Sequence, residues 1–120
     1  MNKLIIIFCA ALFIFFGTGS WAQMSEEAKI AQLIRTVREI PPGAKFIRNG
    51  KEHSSDEAAD HLSAKYKRGK KYAMTAKFFI ENIASKSSVT GIEYRIKFAD
   101  GKIVATREFF TEELRKIEEK

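Results

Sequence analysis

A chain of 120 residues, 45% hydrophobic and 30% charged, has the length for one domain with its own core and no room for a second. Its formal charge of +6 at neutral pH favours anionic partners. The single cysteine, Cys9, excludes a disulfide framework and a thiolate metal centre.

Residues 1–22 read as a cleavable signal peptide. Lys3 precedes an apolar run at 4–16, followed by Gly17-Thr18-Gly19-Ser20-Trp21-Ala22; this basic start, apolar middle and small-residue exit is the order that export signals share. Ser20 and Ala22 place small side chains three and one residues before a cut preceding Gln23. The run of 13 residues is well short of the ~20 that a membrane-crossing helix needs, and Cys9 lacks the small-residue context of a lipid-modified cysteine. Cleavage leaves residues 23–120 as a single periplasmic domain with no cysteine, a formal charge of +5 and no integral membrane segment.

Ser25 caps a first helix, with Glu26 and Glu27 near the positive end of its dipole. Ile30, Leu33, Ile34, Val37 and Ile40 recur at helical spacing as a core-facing stripe, and Pro41-Pro42-Gly43 ends the helix. Residues 44–48 form a short extended candidate, closed by Asn49-Gly50, a dipeptide suited to a tight turn. Ser54 and Glu57 make a capping box that opens a second helix with Ala58, Ala59, Leu62 and Tyr66 on one side. That helix ends near the basic run Lys65-Tyr66-Lys67-Arg68-Gly69-Lys70-Lys71. Thr75 caps a third helix, whose Ala76, Phe79, Ile80, Ile83 and Ala84 share a face. Phe78 points the other way and is expected to cover a neighbouring loop.

A polar connection at 85–91 leads to a hairpin in which Tyr94, Ile96 and Phe98 alternate with Glu93, Arg95 and Lys97. A two-residue Asp100-Gly101 turn pairs Phe98 with Ile103, Ile96 with Ala105 and Tyr94 with Arg107. Thr111, followed by Glu112 and Glu113, caps a closing helix with Phe110, Leu114 and Ile117 on its buried side. The predicted architecture is α+β: three to four helices packed on a small antiparallel sheet, built from the C-terminal hairpin and a short strand around Phe46.

His53 and His61, with Asp56, Glu57 and Asp60 between them, do not suit one metal ion. Eight helical residues at ~1.5 Å rise part the histidines by roughly 12 Å, against ligand distances of ~2 Å. The mature chain carries no G-x-S-x-G elbow, no H-E-x-x-H and no cysteine nucleophile, so no catalytic residue, metal or cofactor is assigned. The basic run at 65–71 places five positive charges in seven residues, as a solvated loop or as a contact to an anionic surface. Residues 85–91 offer hydroxyls and amides for an anion nest or a plain turn. No nucleic-acid recognition motif is present, and an exported domain rarely meets nucleic acid.

The ordered string Phe46-Ile47-Arg48-Asn49-Gly50, Glu57-Ala58-Ala59-Asp60-His61-Leu62 with Lys65, Thr75-Ala76, Phe79-Ile80, Ile83-Ala84-Ser85, Ser87-Ser88, Thr90-Gly91 and Tyr94 resembles the YfeK-like family of small periplasmic proteins of Gram-negative bacteria, over residues 26–117. The resemblance implies a compartment and one fold unit. The family has no established activity, so no catalytic residue carries over. It points to Arg48, Asn49, His61, Lys65, Ser87, Ser88, Thr90, Gly91 and Tyr94 as candidate binding positions. Turn and capping chemistry also accounts for these residue types: Asn49-Gly50 as a turn, His61 bonded to a buried backbone group, and 87–91 closing the third helix.

The expected function is a non-enzymatic periplasmic binding or interaction module, whose partner is an envelope protein or an anionic envelope component. Two other readings stand beside it. One is a small hydrolase or transferase pairing His61 with Ser87 or Ser88. The other is a lysozyme-type inhibitor, from the likeness of Thr90-Gly91-Ile92-Glu93-Tyr94 to the Ser-Gly-x-x-Tyr loop of such inhibitors, which are mostly β.

Overall fold

In the computed structural model, which describes residues 24–119, the chain runs α1 (Glu26–Arg38), β1 (Lys45–Arg48), β2 (Lys51–His53), α2 (Ser55–Gly69), a 3-10 turn (Lys70–Tyr72), α3 (Ala76–Phe79) continuing as a π-helical turn (Ile80–Ala84), β3 (Arg95–Lys97), β4 (Ile103–Ala105) and α4 (Thr106–Glu118). The expected signal peptide lies outside the described residues. Three helices start where their capping residues stand. Ser25 Oγ accepts from the Ala28 amide at 3.0 Å, Ser54 and Glu57 close a reciprocal capping box, and Thr75 Oγ1 accepts from the Phe78 amide at 3.1 Å.

The last helix starts earlier than expected, at Thr106, and Thr111 lies inside it with its hydroxyl donating to the Arg107 carbonyl at 2.7 Å. The cause is tertiary. Thr106 is buried, and its hydroxyl lies 3.0 Å from the Ala84 carbonyl and 3.3 Å from that of Tyr94, which ties the end of β4 to the chain leaving the π-helical turn.

The sheet has the order β2-β1-β3-β4, antiparallel throughout. Asn49 and Gly50 take φ of 52° and 81°, the left-handed angles of a tight hairpin turn, and the turn feeds β2, a strand the sequence pattern does not announce. Phe46 faces His53 on one side and Ile96 on the other, and Ile96 faces Val104. The β3–β4 register is therefore one residue away from a two-residue turn. Phe98 N donates to Lys102 O and Gly101 N to Phe98 O, each at 2.8 Å, so the loop holds three residues with Gly101 at φ 93°, the other common hairpin geometry. Val104 rather than Ile103 packs on the core.

Ile30, Leu33 and Val37 of α1 meet Leu62 of α2, Ile96 of the sheet and Phe110 of α4 in one apolar cluster. Phe79 sits at its centre, edge-on to Tyr66 and Phe110 with centroids 5.7 and 6.2 Å away, a favourable aromatic geometry. Phe78, on the outer side of α3, is 54% exposed rather than covering a loop. Among the described residues no helix is long and apolar enough to cross a membrane.

Candidate functional site

Strand parity begins the site. Phe46 is buried, so Arg48, two residues on, emerges on the same face at the sheet's rim, as Tyr94 does two residues before buried Ile96. Extending the β1–β3 register by one residue sets Arg48 opposite Tyr94. His61 and Lys65, one helical turn apart on α2, both reach this pair. Tyr94 is held from behind: its amide donates to Ser85 O at 2.9 Å and its carbonyl accepts from the Thr106 amide at 3.0 Å.

Four side chains form one network. Arg48 Nη1 lies 2.6 Å from His61 Nδ1, His61 Nε2 lies 3.3 Å from Tyr94 Oη, and Lys65 Nζ donates to the same oxygen at 3.2 Å. Lys65 also donates to the carbonyls of Ile83 at 2.8 Å and Lys86 at 2.7 Å, which spends its three protons and satisfies the C-terminal end of the π-helical turn. A lysine of the basic run is thus neither a solvated nor a surface charge; it is 8% exposed.

Donor and acceptor inventories assign the protons. A guanidinium only donates, so Nδ1 of His61 accepts and Nε2 carries the hydrogen. Tyr94 Oη then accepts twice, from His61 and from Lys65, and its own proton has no protein acceptor among the described residues. Electrostatics agree with a neutral imidazole. Burial first, and then Arg48, Lys65, Arg68 and His53, hold the His61 pKa down at about 4. Burial, reinforced by Arg48, Arg68 and Lys86, pushes Lys65 down to about 8. Burial raises the Tyr94 pKa against the opposing pull of Arg48.

The network opens on a groove of about 660 Å³. Arg48, Lys51, Lys65 and Arg68 line it, and among the described residues no carboxylate does. Lys51 stands directly opposite Arg48 in the β1–β2 register, a like-charge pairing that destabilises a sheet unless something neutralises it. Eight of the nine positions indicated by the sequence line this groove: Arg48, Asn49, His61, Lys65, Ser87, Ser88, Thr90 and Tyr94; Gly91 does not. Gly91 instead turns the loop, at φ 76°. The loop is self-satisfied: Ser87 Oγ accepts from the Val89 and Thr90 amides, each at 3.2 Å, so these amides do not form a free anion nest. Thr90 Oγ1 donates to Asn49 Oδ1 at 2.8 Å, fastening the loop to the β1–β2 turn.

His61 does not bond a backbone group, and no hydrogen bond joins it to Ser87 or Ser88 among the described residues. Both its ring nitrogens are engaged by Arg48 and Tyr94, so the base-and-nucleophile pairing is not assembled in this arrangement. No group of three or more His, Cys, Asp or Glu side chains among the described residues is placed to hold a metal ion. A second cavity of about 30 Å³ shares Arg48, His53, His61 and Tyr94 with the groove and is lined besides by Glu57 and by apolar residues such as Phe46, Leu62 and Phe110; it has room only for water.

Lys51 and Tyr72 line the groove without having been expected there, and Arg68 does so as a member of the basic run rather than as a named site residue. For Arg68 a signal exists: His61, Lys65 and Arg68 follow the i, i+4, i+7 spacing of one helix face. Lys51 needs the strand pairing, and Tyr72 needs the path of the chain after α2.

Residues 24–118 match a protein family described as "Family of unknown function (DUF5329)". The "Uncharacterized protein YfeK" of Salmonella typhimurium is 33% identical over 90 residues, covering 73% of this chain and 74% of that protein. No solved structure matches.

Proposed function

The chain belongs to the DUF5329 family of unknown function, and we propose from the chemistry of its groove that it is a non-enzymatic binding module for an oxyanion-bearing component of the cell envelope, met in the periplasm after export. One observation carries this reading. Every hydrogen bond in the Arg48–His61–Tyr94 chain runs outward from the guanidinium, so that the Tyr94 hydroxyl proton is left for an acceptor. The surroundings favour an anionic acceptor, because four cations and no carboxylate line the groove. A bound oxyanion accepts a hydrogen bond from the Tyr94 hydroxyl, offsets the Arg48–Lys51 repulsion and accepts a charge-assisted bond from Arg48. Catalysis is not part of this reading: His61 is neutral and used on both edges, and the Lys65 ammonium spends its protons on two carbonyls and Tyr94.

Calorimetric titration with inorganic phosphate at constant ionic strength tests it. Saturable binding is expected, weakened about tenfold or more in Arg48→Ala, the size of one lost charged hydrogen bond. Heats that do not saturate, or an affinity equal in Arg48→Ala, contradict it.

A further inference from the structure

Resting on that reading, we infer that the oxyanion is displayed on a membrane: the groove is a docking surface for anionic lipid headgroups, with Tyr72 and Val89 as its apolar rim. Both residues line the same groove as Arg48, Lys51 and Arg68, and they come from separate segments, one following α2 and one in the loop tied to Asn49. Tyr72 is 68% exposed and Val89 93%. One exposed apolar side chain is ordinary on any surface. Two of them flanking a carboxylate-free basic groove match the two layers of a lipid interface, with cations at the phosphates and apolar bodies at the acyl boundary.

Outside the groove, Lys71 Nζ stands 5.2 Å from the Tyr72 ring centroid; Lys71 and Met74, the latter 74% exposed, border a separate hollow shared with Glu27 and Lys70. A long cationic stem beside an amphipathic aromatic suits the headgroup level, where the charge reaches phosphate while the ring stays in the less polar layer. A free phosphate ion in the groove would leave the rim bare; a lipid layer covers both.

The test is co-sedimentation of the product recovered from cells expressing the full chain, with vesicles of phosphatidylcholine alone and of an equal mixture with phosphatidylglycerol. Every variant shares the same N-terminus, so that segment cannot generate a difference between them. Expected is a preference for the mixed vesicles that fades with salt, falling about fivefold when Lys51 or Arg68 is replaced by a neutral residue, and about tenfold or more in the Tyr72→Ser, Val89→Ser double variant. Both substituted residues are exposed, and an unchanged unfolding midpoint verifies the fold. Equal retention on the two vesicle types, or full binding by the double variant, overturns the inference. If phosphate binds by calorimetry while mixed vesicles are not preferred, the lipid assignment fails alone; if neither binds, the groove reading fails with it.

Discussion

Arg48 Nη1 stands 2.6 Å from His61 Nδ1, and because a guanidinium has no acceptor, this contact sets the direction of every later hydrogen bond up to the Tyr94 hydroxyl. Tyr94→Phe keeps the ring and removes the oxygen that faces Lys65 and His61. It is expected to weaken phosphate binding and to cost about 1–3 kcal/mol of stability by leaving buried donors unpaired, read from calorimetry and from urea unfolding of the same protein.

Lys65 acts through carbonyls rather than through a carboxylate. Lys65→Met keeps most of the apolar stem but leaves the Ile83 and Lys86 carbonyls without their donor, with an expected loss of about 2 kcal/mol or more. Lys67→Met, two residues along and exposed, is expected to change stability by less than about 0.5 kcal/mol. Denaturant midpoints of the pair separate the buried lysine from its solvated neighbour.

The cluster also predicts how stability depends on pH. His61 has a folded pKa of about 4 against an ordinary 6.5. Between those values the unfolded chain holds a proton that the folded one lacks, so stability falls as pH drops from 6.5 towards 4, by about 1–2 kcal/mol after allowance for its partial exposure. Glu26 and Glu57, whose pKa values are lowered by backbone hydrogen bonds from Ala76 and Ser54, add a further loss below 4.5. At the alkaline end Lys65, at about 8 against 10.5, makes stability rise as pH climbs above 8, until the raised Tyr94 pKa opposes it above 10. Unfolding midpoints across this range check each slope, and His61→Gln is expected to flatten the one between 4 and 6.5.

Two glycines with left-handed φ separate packing from backbone strain. Gly43, at φ 99°, leaves no room: an added Cβ would lie 2.9 Å from the Ala99 Cβ, whereas at Gly50, φ 81°, nothing stands within 4 Å. Both Gly→Ala changes pay for the conformation, about 1 kcal/mol. Gly43→Ala is expected to cost more, because the β3–β4 loop must also shift; equal losses in thermal unfolding would contradict that contact.

What the sequence reveals follows the range of each interaction. Capping is local chemistry, and Ser25, Ser54 and Thr75 mark three helix starts unaided. Thr111 has the same local credentials, but Thr106 wins because its hydroxyl is claimed by carbonyls 22 and 12 residues away. Asp100-Gly101 suits a two-residue or a three-residue loop equally, so the hairpin register lay beyond it. Most candidate positions do converge on one groove, yet the resemblance that picked them out carries no proton directions. Lys65 reads as one charge in a basic run because its burial depends on carbonyls 18 and 21 residues onward.

If a neutral His61 passes Arg48's polarity to a Tyr94 hydroxyl that waits for an anion, nitrogen NMR of the histidine rings reads both the tautomer and the response to the anion. At neutral pH the His61 ring should show the tautomer protonated at Nε2, and its resonances should move saturably as inorganic phosphate is added at fixed ionic strength. A ring protonated at Nδ1, a charged imidazolium at neutral pH, or resonances indifferent to phosphate would rule out this proton arrangement and the anion site built on it.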